Sequence, residues 1–402
     1  MNLLLVKIFS KLKLMNNLIY FLENYISKNK KNIIETTSSL VKIKSYSSKE
    51  KNVSDFIYNF IKKHPDSKNI NIRRIKNNVI LEIKNTFSTK KSILYDAHLD
   101  TVPVSNITEW IFDPFSGKIH DGKIYGRGSC DDKGCVVALI FTALALSKFL
   151  SDSKLQLSTR VLFSLSTNEE DSSGKGFEEV LKHISADFVV ICEPSDLQII
   201  QGHKGKYSFK VTFYGKPVHS SIPERGINAI YLANKLISKV ETTNNTSKIV
   251  SPLGKNVCSV TFVESKTNSF NSIPYECSVY IDYRGVNKES EKTIISKFVN
   301  RKLSKLVKVE PLHRLFYPWV LDKKNPITQA SIKTYNQIFH KKTEPSLWPF
   351  CTNGSISMGK FNIPTTGFGP GKPVVAHQNN EYIEISQLLD AIKFYSVLPF
   401  NI

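Results

Sequence analysis

Cysteine is scarce in this sequence and never paired at short spacing. The 402 residues include six cysteines, and no Cys-x-x-Cys motif occurs. A disulfide framework is therefore not expected, and free thiols in a reducing compartment are. Lysines interrupt the apolar stretch at 1–17, and no small-residue cleavage site follows it. The stretch is thus neither a convincing signal peptide nor a membrane span, so a cytoplasmic protein without a membrane partner is expected. Whether translation begins at Met1 or Met15 stays open.

Acidic residues are few relative to basic ones. The sequence has 55 Lys and Arg against 35 Asp and Glu, a formal net charge of +20. Such a balance would suit a nucleic-acid-binding protein. The lysines are scattered, however, and no RNA-recognition, zinc-finger or helix-turn-helix signature accompanies them. A general bias towards Lys, Asn and Ile explains the excess, so no nucleic-acid partner is expected.

Internal repeats and low-complexity linkers are also missing, yet 402 residues exceed one ordinary domain. Outside residues 206–315, strand-like runs alternate with helical ones. This predicts an α/β fold with a mostly parallel central sheet flanked by helices. Within 206–315, apolar residues recur with period two around an amphipathic helix, as in antiparallel sheets. The sequence therefore predicts a first domain formed by 1–205 and 316–402, with 206–315 inserted as a separate α+β domain.

Histidines and carboxylates follow the predicted strands of the first domain. They are His98 and Asp100, Asp131, Glu169 and Glu170, Glu193, and His377. Because the carboxyl ends of strands form the ligand crevice of open α/β sheets, these side chains are expected to meet at one rim. Such imidazoles and carboxylates suit a two-metal hydrolase, in which paired ions polarise a carbonyl and activate a water.

Taken singly, these residues also have simpler interpretations. His98 and Asp100 fit an ordinary polar turn closed by Pro103. The pair Glu169 and Glu170 fits a solvated acidic loop. Adjacent carboxylates on a loop can instead point apart, so that one binds a metal while the other transfers a proton. The delivery of such groups by five separate segments favours the metal interpretation.

Seven motifs, in order, resemble the zinc-dependent aminoacylase and exopeptidase family of acetylornithine deacetylase, succinyl-diaminopimelate desuccinylase and glutamate carboxypeptidase. They are DAHLDTVP at 96–103, GRGSCDDKG at 126–134, STNEE at 166–170, CEPS at 192–195, GKPVHSSIPERGINAI at 215–230, NSIPYECSVYIDYRG at 271–285 and GFGPGKPVVAH at 367–377. The resemblance covers the chain from about Leu18 onward. It implies a zinc-peptidase-type catalytic domain, with 206–315 as a lid and dimerisation domain.

The resemblance implies two divalent metal ions, zinc in the first place and cobalt as the alternative. One ion would be held by His98 and Glu193, and the other by Glu170 and His377. Asp131 would bridge the two ions, and the peptide bond after it would be cis.

Catalysis is implied for three further residues. Glu169 would be the general base that takes a proton from the bridging water and returns it to the leaving amine. Asp100 would bond the far nitrogen of His98 and fix its tautomer. His219 would reach the active site of the other subunit in a homodimer and stabilise the tetrahedral oxyanion. The alternative for His219 is a turn histidine following Pro217.

Substrate contacts are implied for Asn271, Arg284, Gly369 and Gly371. Arg284 would clamp the substrate α-carboxylate, and the glycines would let backbone amides approach the same substrate. The alternative for Arg284 is a salt bridge with Asp282.

Some residues depart from the family pattern or stay outside it. Asp132 stands where the family often has a non-acidic residue, and Cys135 where it often has glycine. His203 is a candidate substrate contact. Five other histidines are predicted to be ordinary surface or core residues: His64, His120, His183, His313 and His340.

The implied reaction is hydrolysis of the amide bond of an N-acyl amino acid. N-acetylornithine deacetylation in arginine biosynthesis ranks first. Desuccinylation of succinyl-diaminopimelate in lysine biosynthesis follows, and then dipeptidase or general aminoacylase activity. A succinyl group would need a second cation, for which Lys204 and Arg225 are candidates. A non-catalytic nucleic-acid-binding relative is the alternative of a different class, and the complete set of predicted ligands argues against it.

Overall fold

The computed structural model describes residues 3–84, 91–299 and 306–402. The chain divides into two compact units. The first unit comprises Met1–Gly202, Leu321–Trp348 and Thr352–Ile402, and the second comprises His203–Val320 and Pro349–Cys351. The predicted insertion of 206–315 lies inside the second unit.

Helices and strands alternate along the first unit, whereas the strands of the sheet in the second unit pair antiparallel. The helices are α1 (Leu3–Lys42), α2 (Lys51–Lys63), α3 (Gly134–Ser153), α4 (Lys175–His183), α5 (Ala229–Thr246), α6 (Glu291–Phe298), α7 (Pro326–Phe339) and α8 (Ile385–Val397). The strands are β1 (Ile70–Ile75), β2 (Asn78–Ile83), β3 (Lys91–His98), β4 (Lys118–His120), β5 (Lys123–Tyr125), β6 (Thr159–Ser166), β7 (Phe188–Ile191), β8 (Ile200–His203), β9 (Gly205–Tyr214), β10 (Val257–Lys266), β11 (Glu276–Gly285), β12 (Val307–Pro311), β13 (Trp319–Val320), β14 (Ser346–Trp348), β15 (Thr365–Gly367) and β16 (Tyr382–Glu384).

The main sheet of the first unit has the order β1-β2-β6-β3-β7-β15-β8. Strands β6, β3, β7 and β15 are parallel to one another, whereas β1 and β2 pair antiparallel at the β6 side and β8 pairs antiparallel with β15. The central strands are short apolar runs that are buried almost throughout, as expected for strands covered on both faces. The predicted α/β class with a mostly parallel central sheet is confirmed.

Helix α3 is the main core helix of the first unit. Residues 134–147 are buried without interruption, and the helix packs against α1 and α8. Within the described part of the chain, the segment Ser129–Ser153 is the one helix long and apolar enough to cross a membrane. Since 89% of its most apolar stretch is buried inside the protein, its composition matches a core helix.

The second unit is built on an antiparallel sheet of order β10-β11-β9-β12. Apolar side chains of β9 and β11 pack with α5 and α6 into a core of their own. Among the described residues, the outermost strand β10 pairs only with β11, and Phe262 and Val263 on it are 57% and 43% exposed. This unit therefore has a sheet edge lined by exposed apolar side chains.

Candidate metal centre

Three neighbouring parallel strands bring His98 and three glutamates to the rim formed by the carboxyl ends of the main sheet. His98 is the last residue of β3. Glu169 and Glu170 follow the end of β6, and Glu193 follows the end of β7. Because β6, β3 and β7 lie side by side and parallel, their carboxyl ends meet at the same rim.

The five predicted ligands lie close together around one carboxylate. Asp131 Oδ1 is 2.8 Å from His98 Nε2, and Asp131 Oδ2 is 3.2 Å from His377 Nε2. Glu193 Oε1 lies 3.7 Å from His98 Nε2, and Glu170 Oε1 lies 2.9 Å from His377 Nε2. Each oxygen of Asp131 thus faces its own imidazole, and each imidazole has a second carboxylate beside it.

The donor set fits divalent cations. Ligand atoms of His98, Asp131 and Glu170 lie within 4.8 Å of one another, and so do those of His98, Glu169 and Glu193. Nitrogen and oxygen donors in such clusters are those that zinc and similar ions accept. Across the described residues, the ion-pair partners of these carboxylates are imidazoles and no lysine or arginine. Bound cations would neutralise this excess of buried negative charge.

The protonation equilibria reflect the same excess of negative charge. Hydrogen bonds with Asp131 and Glu170 raise the pKa of His377 to about 10. Burial and the neighbouring carboxylates raise the pKa of Glu169 to about 8, against the opposing effect of His98. Burial would also raise the pKa of Asp131, but hydrogen bonds with His377 and His98 outweigh it and hold that pKa below its usual range.

Asp100 organises the glutamate pair as well as His98. Its Oδ1 accepts a hydrogen bond from the backbone amide of Glu169 at 3.1 Å, and its Oδ2 accepts from that of Glu170 at 3.0 Å. Ser47 Oγ donates to the same Oδ2 at 2.6 Å. His98 Nδ1 lies 2.9 Å from the backbone carbonyl of Asp100 and 3.5 Å from its carboxylate. The contact expected between the Asp100 carboxylate and Nδ1 of His98 is therefore made mainly by the Asp100 carbonyl oxygen. The Asp100 carboxylate instead holds the loop that follows β6.

The backbone at Asp131 and at His377 has two unusual features. The bond between Asp131 and Asp132 is cis, which confirms the prediction. His377 has a φ of 62°, which lies in the left-handed region. For residues other than glycine this conformation costs about 1–3 kcal/mol. Asp132, the departure from the family pattern, is fully buried, and its Oδ2 accepts a hydrogen bond from the backbone amide of His98 at 3.0 Å.

Sequence reasoning missed a buried ion pair beside the centre. Arg127 Nη1 donates to Glu381 Oε2 at 2.6 Å, and Arg127 Nη2 donates to the carbonyl of His377 at 3.2 Å. Glu381 Oε1 accepts from the backbone amides of Cys130 and Asp131 at 2.9 and 3.0 Å. The available signal was a charged residue inside the glycine-rich GRGSCDDKG motif and an acidic residue four positions after His377.

The two candidate glycines are required by close packing. A Cβ at Gly369 would lie 2.2 Å from the carbonyl oxygen of Glu193, and Gly371 has a φ of +92°. The amide of Gly369 donates to Ser195 Oγ at 2.9 Å, and that of Gly371 donates to Gln387 Oε1 at 2.7 Å. Both amides are thus engaged within the first unit, and their predicted contact with substrate stays a prediction.

The structure places the remaining candidates in the second unit. His219 is exposed; its Nδ1 lies 2.7 Å from Ser221 Oγ, and its Nε2 lies 3.4 Å from Asn271 Nδ2. Arg284 Nε donates to Asp282 Oδ1 at 2.5 Å, which is the salt bridge weighed as the alternative. The substrate-binding roles of Asn271 and Arg284 stay predictions.

His203 and Lys204 have local partners in the second unit as well. His203 is fully buried, its Nδ1 lies 2.8 Å from the carbonyl of Lys204, and its ring packs edge-on against Trp319. Lys204 Nζ donates to the carbonyl of Lys255 at 2.8 Å. His203 is therefore built into the core of this unit.

Comparisons with known proteins agree with the geometry. The model of peptidase family M20/M25/M40 matches residues 94–399. The chain is 27% identical over 404 residues to a probable succinyl-diaminopimelate desuccinylase of Staphylococcus aureus (strain MSSA476), an alignment that covers 90% of this chain and 95% of that one.

Solved structures share the fold over nearly the whole chain. A metallo-carboxypeptidase of the M20 family, Sso-CP2 from Sulfolobus solfataricus, superimposes with a TM-score of 0.74 at 21% identity, covering 92% of this chain and 98% of that one. YXEP of Bacillus subtilis, described as a dinuclear metal binding peptidase of the M20 family, superimposes with a TM-score of 0.68 at 17% identity. That match covers 93% of this chain and 98% of YXEP.

Proposed function

The chain belongs to peptidase family M20/M25/M40 and is a metal-dependent hydrolase of amide bonds, and from this premise we propose that it removes the acyl group from an N-acyl amino acid with two metal ions. The observation that supports this most is the geometry of Asp131. Its two oxygens lie 2.8 and 3.2 Å from the imidazoles of His98 and His377, each of which has its own carboxylate neighbour. One carboxylate shared by two such half-sites is suited to a pair of closely spaced ions.

Five residues would hold the ions. His98 and Glu193 would bind one, Glu170 and His377 the other, and Asp131 both. Zinc is the first choice because mixed imidazole and carboxylate donors suit it, and cobalt accepts the same set. When bound, such ions polarise the amide carbonyl and lower the pKa of a water between them.

Glu169 would move the proton. Its carboxylate lies in the same cluster as His98 and Glu193, yet it makes no ion pair with either imidazole among the described contacts. Asp100 accepts a hydrogen bond from the Glu169 backbone amide and so fixes the loop that carries it. From this position Glu169 would take a proton from the attacking water and deliver it to the nitrogen of the leaving amine.

The acyl group is the finer part of the proposal. The desuccinylase name of the Staphylococcus aureus relative favours N-succinyl-diaminopimelate, whereas the sequence motifs alone ranked N-acetylornithine first. A succinyl carboxylate needs a cation. Arg225 lies on an exposed turn of the second unit, and Lys204 is partly exposed there. We place succinyl-diaminopimelate desuccinylation first, N-acetylornithine deacetylation second, and dipeptide hydrolysis third, in a cytoplasmic enzyme.

The second unit would supply the oxyanion donor and the dimer contact. His219 is exposed, and Asn271 lies beside its Nε2. In the part of the chain that the structure describes, strand β10 has a strand partner on one side only, and Phe262 and Val263 are exposed on it. Such an edge suits pairing with a second copy of the chain. In the resulting homodimer, His219 of each subunit would stabilise the oxyanion formed at the other's metal centre.

Substrate assays on metal-depleted and reconstituted protein test the proposal. The purified enzyme would be treated with a chelator, dialysed, and given Zn²⁺ or Co²⁺. N-succinyl-diaminopimelate, N-acetylornithine and unacylated dipeptides would then be compared by kcat/KM. Activity should vanish on chelation and return with metal, with an N-acyl amino acid preferred. Full activity in the metal-free protein, or hydrolysis of dipeptides alone, would contradict the proposal.

A further inference from the structure

The segments that carry Asp131 and His377 are joined by one buried ion pair. Arg127 lies four residues before Asp131, and Glu381 lies four residues after His377. Their side chains are 1% and 0% exposed, and Arg127 Nη1 donates to Glu381 Oε2 at 2.6 Å. The pair therefore spans 254 residues of sequence at the point where the two halves of the metal centre meet.

Glu381 fixes the main chain at the bridging aspartate. While its Oε2 accepts from Arg127, its Oε1 accepts from the backbone amides of Cys130 and Asp131 at 2.9 and 3.0 Å. The two oxygens of one carboxylate thus hold a guanidinium on one side and a peptide segment on the other. Any shift of Glu381 would move the backbone from which the Asp131 carboxylate projects.

Arg127 fixes the main chain at His377. Its Nη2 donates to the carbonyl oxygen of His377 at 3.2 Å, and that residue has a φ of 62°. The left-handed conformation is less favourable for histidine than the extended or helical ones, and the hydrogen bond from Arg127 holds the carbonyl of His377 in it. The planar guanidinium can hold Glu381 and this carbonyl at the same time, because it presents several donors in a fixed fork. A lysine ammonium lacks that geometry.

Stability alone does not explain the pair. A fully buried ion pair often contributes no more than a well-packed apolar replacement. The Nε of Arg127 is moreover buried without a hydrogen-bond partner among the described residues, which destabilises the fold further. A pair retained at this cost, with contacts to the backbone of both ligand segments, fits the fixing of ligand geometry better.

We infer that Arg127 and Glu381 are positioning residues of the metal centre, and this rests on the proposed function. Arg127 acts on the ion held by Glu170 and His377, through the His377 carbonyl. Glu381 acts on both ions, through the backbone of Asp131. Outer partners of this kind change metal affinity by about 10–100-fold when they are replaced.

Calorimetric titration of the metal-free full-length protein with Zn²⁺ tests the assignment. Arg127→Lys keeps the charge and loses the fork, whereas Glu381→Gln keeps the shape and loses the charge. Glu82→Gln is the matched control, because Glu82 forms a 2.6 Å ion pair with Arg160 that is partly exposed and on β2. His377→Ala identifies which binding event belongs to its ion.

The expected pattern differs between the two variants. Arg127→Lys should weaken by about 10–100-fold the one binding event that His377→Ala removes, and leave the other unchanged. Glu381→Gln should weaken both events. The control should change neither, and Co²⁺ absorption spectra should show altered coordination only in the two variants. If Glu381→Gln does not fold, the Zn²⁺ titration of Arg127→Lys is sufficient to test the assignment.

Two results would overturn the assignment. Wild-type affinities for both ions in Arg127→Lys, with a lower melting temperature of the metal-free protein, would make the pair purely structural and leave the proposed function standing. Binding of fewer than two ions by the wild-type protein would overturn the proposed function and this assignment together.

Discussion

The metal centre of the first unit and the His219 region of the second unit are built in opposite ways. In the first, the side chains of His98 and Asp100 are 2% and 0% exposed, and both have hydrogen-bond partners from distant parts of the chain. In the second, His219 is exposed and its ring contacts Ser221, two residues away, and Asn271. The groups proposed to hold the metal ions are thus fixed by their surroundings, whereas the residue proposed to contact the transition state is accessible.

This contrast has a consequence for mutations. Replacing a buried group of the centre such as Asp100 should change metal binding or stability along with turnover, because its carboxylate has several hydrogen-bond partners. Replacing a group in the exposed region should change turnover alone. Glu169 is the informative exception in the centre, since its proposed role involves a proton and no metal.

Glu169→Gln should give the largest loss of activity that leaves the metals in place. The amide keeps the shape of the side chain but cannot accept the proton, so kcat should fall by about 10²–10⁴-fold. Metal analysis should still find two ions per chain. Glu179→Gln, at a partly exposed position of α4 where Glu179 forms an ion pair with Lys76, is the control and should keep wild-type turnover. A Glu169→Gln enzyme of comparable activity would remove Glu169 from the mechanism.

His219→Ala should lower kcat by about 10²–10³-fold, as the loss of an oxyanion donor does. Metal content and melting temperature should be unchanged, because the side chain is exposed. If the donor acts across the dimer, heterodimers of His219→Ala and Glu169→Gln subunits should regain activity. One site would then carry both lesions and the other neither.

Heterodimers prepared with two affinity tags make this complementation measurable. About half of the wild-type activity per heterodimer is the expected outcome under that model. Heterodimers as inactive as their parents would show that His219 acts in its own subunit or has no part in catalysis.

Asp100→Asn should weaken metal binding by about 10–100-fold, because the carboxylate holds the backbone of Glu169 and Glu170. Turnover should fall at limiting metal and recover in part at high Zn²⁺ concentration. Asp187→Asn is the control: its carboxylate also accepts a backbone amide, that of Ser92, at an exposed position. Equal metal affinities in the two variants would contradict the role of Asp100.

The smallest effect compares one serine from each region. Ser47→Ala removes the 2.6 Å hydrogen bond to Asp100, and the free energy of unfolding should fall by about 1 kcal/mol, measured by urea denaturation of the metal-free protein. Ser221→Ala removes a 2.7 Å contact with the His219 ring at an exposed position and should leave that free energy unchanged. Equal losses in both variants would erase the contrast between the regions.

The sequence made most of the predicted ligands accessible because they lie at or just after apolar strands. His98 ends one strand, and Glu169, Glu170 and Glu193 follow two others; the alternation of strands with helices predicted that these strands are parallel, and parallel neighbours place their ends together. The structure brings all four to one rim, as it does Asp131. The resemblance to the family then predicted the cis bond after Asp131.

The features of the site that could not be predicted from the sequence depend on contacts between distant segments. Arg127 and Glu381 are separated by 254 positions, and no periodicity links a charge in a glycine-rich loop to one after a histidine. The contact of His98 with the carbonyl of Asp100 depends on the turn between them, which residue identity does not specify. Glycine is required at position 369 because a side chain there would collide with the carbonyl of Glu193, and the two residues are neighbours only in the folded chain.

Anomalous diffraction from crystals grown with Zn²⁺ would show directly whether two ions share Asp131. Two zinc peaks are expected in each chain, one beside His98 and Glu193 and the other beside Glu170 and His377, with Asp131 next to both. A single peak, or two peaks that do not share the Asp131 carboxylate, would contradict this expectation.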